Sequence, residues 1–170
     1  MELKNAMTEN SCYACRRPKA QIQCEVCSER FCKNCSQFLE SSTFSFMKDV
    51  PESLKHTHYC MSCFDSEVQP ALENYRELIE QARSVFIFFT TQKKAIPLIK
   101  KSKEKVVVEA CDDRDETILR LAFQAAQQGY NAVIETEVVA QKIRNEGYQK
   151  SVWRGVGVPA QVNAERMERY

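Results

Sequence analysis

Glycine and histidine are scarce in this chain, with four glycines and two histidines among 170 residues. The glycines are expected to serve turns or close strand packing: Gly129, Gly147, Gly155 and Gly157. A glycine-rich loop that cradles phosphate groups is therefore excluded. No nucleophile stands beside a candidate base, and no pair of acidic residues has a convincing catalytic setting. The sequence thus predicts a chain that is not an enzyme.

Long apolar runs are also missing. No stretch of about 18 apolar residues occurs, so we expect no membrane-spanning helix. Residues 1–20 lack the apolar core of a signal peptide. Both observations favour a cytoplasmic protein, whose thiols stay reduced, over a secreted protein held together by disulfides.

Cysteine, by contrast, is abundant and ordered. Eight of the nine cysteines form four Cys-x-x-Cys pairs: Cys12/Cys15, Cys24/Cys27, Cys32/Cys35 and Cys60/Cys63. Two intervening residues let one turn of backbone aim both sulfurs at a single tetrahedral ion. Four pairs supply the ligands of two closed four-cysteine sites, so we predict two Zn²⁺ ions per chain. A disulfide framework is the alternative, and it would need an oxidising compartment.

Composition divides the chain into three parts. Residues 1–65 hold all eight paired cysteines and both histidines, and we predict a small two-zinc finger there. Residues 66–83 repeat apolar side chains at steps of three and four, which is typical of an amphipathic linking helix. Residues 84–170 show the strand and helix patterns of an ordinary domain. They contain no histidine and only one cysteine, so no soft-ligand metal site can form within one copy of that domain.

Two segments carry a resemblance to a known zinc finger. CEVCSERFCKNC (24–35) and YCMSCF (59–64) resemble the centre and the end of a FYVE-type finger, a treble-clef fold with a cross-brace of two zinc ions. The resemblance implies that the first and third pairs share one ion, and the second and fourth pairs the other. The implied ligands are Cys12, Cys15, Cys32 and Cys35 for one zinc, and Cys24, Cys27, Cys60 and Cys63 for the second.

A second class of finger fits part of the same pattern. B-box fingers are similar over the first six cysteines and generally end with histidine ligands, for which His56 and His58 are candidates. Because the eight cysteines already complete two sites, we expect both histidines to lie beside the ligands or in solvent.

The finger lacks the residues that bind a lipid headgroup in FYVE proteins. Fingers that bind phosphatidylinositol 3-phosphate carry a basic run around the third cysteine, whereas here Gln23 and Glu25 flank Cys24. Residues 1–65 hold eight basic and eight acidic side chains, and eight thiolates around two Zn²⁺ would add about four negative charges. Such a finger is a poor phosphate binder, so we expect no nucleic-acid partner and disfavour a phosphoinositide membrane.

The second half predicts an α+β fold, with one helix on a mostly antiparallel sheet in the order β-β-α-β-β. The segments are strands at 84–91 and 105–110, a helix from Asp113 to Gly129, and strands at 131–143 and 148–162. Asp113 and Glu116 fit a capping box at the start of that helix. The lysine-rich segment 93–105 contains Pro97 and is predicted to be a connector. Its lysines, Lys93 to Lys105, are a candidate anion-binding rim.

This half also resembles a known family. AFQAAQQGYNAVIETEV (122–138) and RGVGVPAQV (154–162) are similar to the corresponding helix end and strands of the YbjQ-like family, which is often labelled heavy-metal-binding. The resemblance implies a small α+β subunit that assembles into rings, commonly pentamers. The metal label does not carry over, because Cys111 is the only soft ligand in this half, and we expect it to be a buried apolar side chain.

These observations predict a non-catalytic, zinc-binding adaptor that displays a cross-brace finger on an oligomerising α+β domain and binds a protein partner. Repeating one weak finger around a ring would raise its avidity for a repeated partner. One alternative is a FYVE-type phosphoinositide-binding protein of endomembranes. A second is that the finger only stabilises the fold while the lysine rim does the binding.

Overall fold

The computed structural model describes residues 10–145 and 147–167. The chain separates into two compact units, residues 1–75 and 76–170. Each unit has its own strands and its own buried apolar side chains.

The first unit is built from short elements. Strands β1 (Ile22–Gln23) and β2 (Arg30–Phe31) form one antiparallel pair, and β3 (Ser36–Phe38) and β4 (His58–Cys60) form another. Single 3₁₀ turns occupy Lys33–Cys35 and Glu52–Leu54. Elements of two or three residues cannot stabilise one another by backbone pairing alone, so the unit depends on its few buried side chains and on its cysteines.

A small aromatic core supports these elements. Tyr59 is fully buried, and its hydroxyl donates a hydrogen bond of 2.7 Å to the carbonyl of Ser53. Phe44 is also buried and packs edge-to-face on Tyr75, with ring centroids 5.2 Å apart. Phe38 of the same unit, by contrast with Phe44, is 61% exposed.

Helical structure begins earlier than the predicted linking helix at 66–83. Helix α1 (Met61–Cys63) and a π-helical turn (Phe64–Val68) precede α2 (Gln69–Arg83). The predicted apolar stripe is buried or half-buried along its length: Val68, Leu72, Tyr75, Ile79 and Ala82. The sequence did not predict this earlier start because the N-cap of α1 is a cysteine. The sulfur of Cys60 accepts a hydrogen bond from the amide of Cys63.

The second unit is α+β, as the sequence predicts. Its sheet contains β5 (Phe86–Phe89), β6 (Leu98–Lys101), β7 (Val106–Cys111), β8 (Ala132–Asn145) and β9 (Tyr148–Val162). The long strand β9 lies at the centre, with β8 on one side and both β6 and β7 on the other. All of these pairs are antiparallel except β5 with β8, which is parallel.

Helix α3 (Arg114–Gln127) begins as the sequence predicts. The carboxylate of its N-cap, Asp113, accepts a hydrogen bond of 2.9 Å from the amide of Glu116. Leu121, Ala122 and Ala125 are buried on its inner face. Gly129, at φ +78°, follows the end of the helix and takes the left-handed conformation that favours glycine there.

The segment 93–105, predicted to be a connector, contains strand β6, so the prediction was wrong for the residues of β6. Strand β6 pairs with the end of β9, with Leu98 opposite Val162 and Lys101 opposite Ala160. Every side chain of β6 is exposed, so the segment lacks the apolar alternation by which a strand is recognised. Pro97 immediately precedes β6, a position that proline tolerates in an edge strand.

Two positions of β9 pack closely against their neighbours, Gly155 against helix α3 and Gly157 against strand β8. A Cβ atom at Gly155 would lie 2.8 Å from both Leu121 Cδ1 and Thr117 Cγ2, and one at Gly157 would collide with Val133. A short helix, α4 (Ala164–Met167), follows β9. Among the described residues, no helix combines the length and the apolarity needed to cross a membrane.

Candidate metal centre

The first cluster joins a tight backbone loop to a strand end. The loop contains Cys12 and Cys15, and the amide of Arg16 donates a hydrogen bond of 2.9 Å back to the carbonyl of Cys12. Cys32 and Cys35 follow β2 and enclose a 3₁₀ turn. The amide of Tyr13 donates a 2.9 Å hydrogen bond to Arg30, which fixes the loop against β2.

The second cluster repeats this construction. The amide of Ser28 donates a hydrogen bond of 2.8 Å to the carbonyl of Cys24, closing the loop that contains Cys27. Cys60 and Cys63 stand at the end of β4 and in α1. The amide of Glu25 donates a hydrogen bond of 3.1 Å to the carbonyl of His58 in β4. This bond corresponds to the one from Tyr13 to Arg30 of β2 in the first cluster. Each cluster therefore combines one backbone loop with one strand-to-helix turn.

The sulfur positions suit a tetrahedral metal ion. Within each cluster the four sulfur atoms lie within 4.8 Å of one another, and the two groups are Cys12, Cys15, Cys32 and Cys35, and Cys24, Cys27, Cys60 and Cys63. The Sγ atoms of Cys15 and Cys32 are 3.7 Å apart, and those of Cys27 and Cys60 are 4.0 Å apart. Zn–S bonds of about 2.3 Å place tetrahedral sulfurs about 3.8 Å apart. The donor set and its spacing thus fit zinc.

Backbone amides prepare one thiol in each cluster for ionisation. Burial acts to raise the pKa of Cys12, but hydrogen bonds from backbone amides, that of Cys15 foremost, outweigh it and lower the pKa to about 6. The same balance, with Cys27 as the foremost donor, lowers the pKa of Cys24 to about 7. Because the thiolate is the form that binds metal, this lowering of the pKa favours metal binding in both clusters.

Other thiols are held in the protonated form by their neighbours. Hydrogen bonding with the side chain of Cys32 is the main cause that raises the pKa of Cys35 to about 12. Burial, followed by hydrogen bonding with Cys60, raises the pKa of Cys63. Crowded thiolates repel one another, and a divalent cation removes that repulsion. The clusters are therefore chemically suited to a cation.

The two histidines lie outside both cysteine groups and share one carboxylate. Glu25 Oε2 is 3.3 Å from Nδ1 of His56, and Glu25 Oε1 is 3.4 Å from Nδ1 of His58. The backbone amides of Thr57 and His58 also donate to Glu25 Oε1, at 3.2 and 3.0 Å. The amide of His58 is the main cause that lowers the pKa of Glu25, against the opposing effect of burial. Sequence reasoning missed this role of Glu25.

Two residues in the backbone loops adopt a conformation that usually belongs to glycine. Arg16 and Ser28, each immediately after the second cysteine of its pair, have φ angles of +61° and +63°. A left-handed residue other than glycine costs about 1–2 kcal/mol. Both loops nevertheless close with a hydrogen bond to the first cysteine of their pair. Because neither position is a glycine, a search of the sequence for a glycine after each cysteine pair would not find these loops.

The remaining candidate residues belong to the second unit. Cys111 is buried, as expected, beside Val106, Val108 and Leu121. Two members of the lysine-rich segment already have neighbours. The ammonium of Lys101 is 3.3 Å from Glu135, and that of Lys100 lies over the ring of Tyr130.

The geometry defines a class: a compact finger with two four-cysteine clusters whose ligand pairs interleave along the chain, linked to an α+β unit. Comparison with protein-family models, curated proteins and solved structures found no match to this chain. The resemblances to FYVE, B-box and YbjQ-like proteins therefore stay predictions.

Proposed function

We propose that this chain is a non-catalytic, zinc-binding adaptor whose finger presents a protein-binding surface. The observation that supports the proposal is the pair of four-cysteine clusters, each with all of its sulfurs within 4.8 Å of one another. Four thiolates complete the coordination of a structural zinc and leave no open position for substrate or water. Zinc bound in this way has a structural role.

The role of zinc in this finger would be to supply folding free energy. The first unit has strands of two or three residues and only a few large buried side chains, such as Tyr59 and Phe44. Such a core is too small to offset the conformational entropy of its chain. Metal binding couples to folding in domains of this kind, so the surface of the finger would exist only in the metal-bound protein.

The second unit would multiply the finger by self-association. The strand register places several exposed apolar side chains on the sheet face opposite α3: Val107, Val139, Ile143 and Tyr148. These side chains are between 41% and 84% exposed. Apolar side chains that share an exposed face favour contact between protein surfaces. A ring, which the YbjQ-like resemblance implies, would use this face and give the finger avidity.

A phosphoinositide-binding role is the competing proposal, and the charges near the second cluster argue against it. The carboxylate of Glu25 stands where FYVE fingers carry cations, and it already binds the two nearby histidines. A headgroup phosphate would have to displace these contacts against like charge. Pelleting with vesicles that contain phosphatidylinositol 3-phosphate separates the two proposals, because an adaptor of the proposed kind stays in the supernatant.

Native mass spectrometry of protein purified without added metal tests the leading proposal. Two zinc ions per chain in a closed ring are the expected result. A monomer with two zinc ions would remove the self-association and leave the zinc finger. Fewer than two zinc ions per chain would contradict the proposed finger.

A further inference from the structure

A groove of about 750 Å³ lies between the two cysteine clusters of the finger. Its apolar walls are Tyr13, Phe31 and Met61. Tyr13 and Met61 are 52% and 47% exposed, whereas Phe31 is buried and forms the base. Cysteines of both clusters contribute to the lining: Cys35 from the first, and Cys27, Cys60 and Cys63 from the second. The groove would therefore be shaped only when both clusters are formed.

The groove is also acidic. Glu29 is the one charged side chain among the described residues that line it, and no described cation forms an ion pair with its exposed carboxylate. Two four-thiolate zinc sites on either side would each carry about two negative charges. The described residues that line the groove include no lysine or arginine that would offset this charge.

One side chain of the groove, Tyr13, already packs against a cation. The guanidinium of Arg16 lies over the ring of Tyr13, 5.5 Å from its centroid. Asn34, also at the groove, supplies a side-chain amide that can donate to or accept from a peptide backbone. Apolar walls with one carboxylate and one amide match a peptide that carries apolar side chains around a central cation. An anionic ligand such as a phosphate would meet the carboxylate of Glu29 and no cation among the described residues that line the groove.

We infer that this groove binds an extended segment of a protein partner in which an arginine or lysine is flanked by apolar side chains, with the cation at Glu29. The inference rests on the proposed zinc finger, because zinc would form both the walls and part of the charge. It adds the chemistry of the partner to the proposed adaptor role.

The test uses the zinc-loaded, isotope-labelled full chain and three short synthetic peptides. The peptides are identical except for a central arginine, glutamine or glutamate between leucines. Amide NMR signals of Tyr13, Asn34 and Met61 report binding at the groove, and native mass spectrometry of the same sample reports its zinc content. We expect these signals to shift with the arginine peptide, and its affinity to fall as salt rises.

Two variants isolate the charge. Glu29→Gln keeps the shape of the groove and should weaken the arginine peptide about three- to ten-fold while leaving the glutamine peptide unchanged, as for a charge at an interface rim. Glu40→Gln removes an exposed carboxylate that does not line the groove, and it should change nothing.

Four results would overturn the inference. With two zinc ions bound, unshifted groove signals or equal affinity for the arginine and glutamate peptides would remove the groove as the basic-peptide site, while the adaptor proposal would stand on another surface. Groove signals that move on dilution without peptide would place a second copy of the chain there. Fewer than two zinc ions would remove the proposed finger and the inference together.

Discussion

Paired cysteine substitutions can establish which thiols share an ion. Cys15→Ser with Cys32→Ser removes two ligands from one cluster, whereas Cys15→Ser with Cys27→Ser removes one ligand from each. If neighbouring pairs along the chain shared an ion instead, the first variant would damage both sites and the second only one. The two variants therefore have opposite consequences under the two arrangements.

The expected magnitudes follow from the ligand count. A structural zinc binds with about 10–16 kcal/mol, which is about 3 kcal/mol for each of four thiolates. The first variant should keep one site at full affinity and weaken the other roughly ten-thousandfold, whereas the second should weaken each site roughly a hundredfold. Titration with a competing chelator measures both affinities.

The reasoning would be refuted if the first variant retained no site of full affinity. Because a damaged cluster could unfold its neighbour, a measurement on the unmodified protein is needed as well. NMR correlation between cadmium ions and cysteine β-protons assigns each thiol to an ion directly. Cys111→Ser is the matched control, since Cys111 is a buried thiol outside both clusters, and it should leave both affinities unchanged.

Three further predictions concern the packing and the chemistry described above. Gly155→Ala should destabilise the protein by about 1–3 kcal/mol in chemical denaturation, because the new methyl group would press on α3. Asp113→Ala should lower the free energy of unfolding by about 1 kcal/mol, because the helix cap is lost, whereas Asp113→Asn should keep most of the stabilisation from the cap. A cysteine in an unfolded chain has a pKa of about 8.5, and the folded finger lowers the pKa of Cys12 to about 6 and that of Cys24 to about 7. With either set of pKa values these thiols are protonated at about pH 5 and more fully ionised at about pH 8. Zinc binding should therefore release more protons at about pH 5 than at about pH 8, which an indicator-dye titration measures.

Local patterns were sufficient for the features whose physics is local. The Cys-x-x-Cys spacing places two sulfurs on one turn of backbone, and the Asp113 cap needs only an amide three residues away. The long hairpin of β8 and β9 was predicted from apolar residues on either side of a turn at Gly147. In each case neighbouring residues hold all of the information.

Features that depend on distant residues were not accessible from the sequence. The carboxylate of Glu25 reaches the amide of His58, which lies 33 positions further along the chain. The groove between the clusters combines Tyr13, Glu29 and Met61 from three separate segments. Strand β6 was missed because all of its side chains are exposed, so they show no alternation of polar and apolar residues, and its pairing with β9 is made through the backbone. No spacing rule links such positions.

Because the cysteines of the two clusters interleave along the chain, the finger cannot be shortened or cleaved between them without dividing a cluster. A break in the chain between Cys15 and Cys32 divides the first cluster, and a break between Cys27 and Cys60 divides the second. These two intervals overlap, so no cut from Cys15 to Cys60 leaves both clusters whole. A fragment that begins or ends within this interval would therefore lack at least one complete four-cysteine cluster.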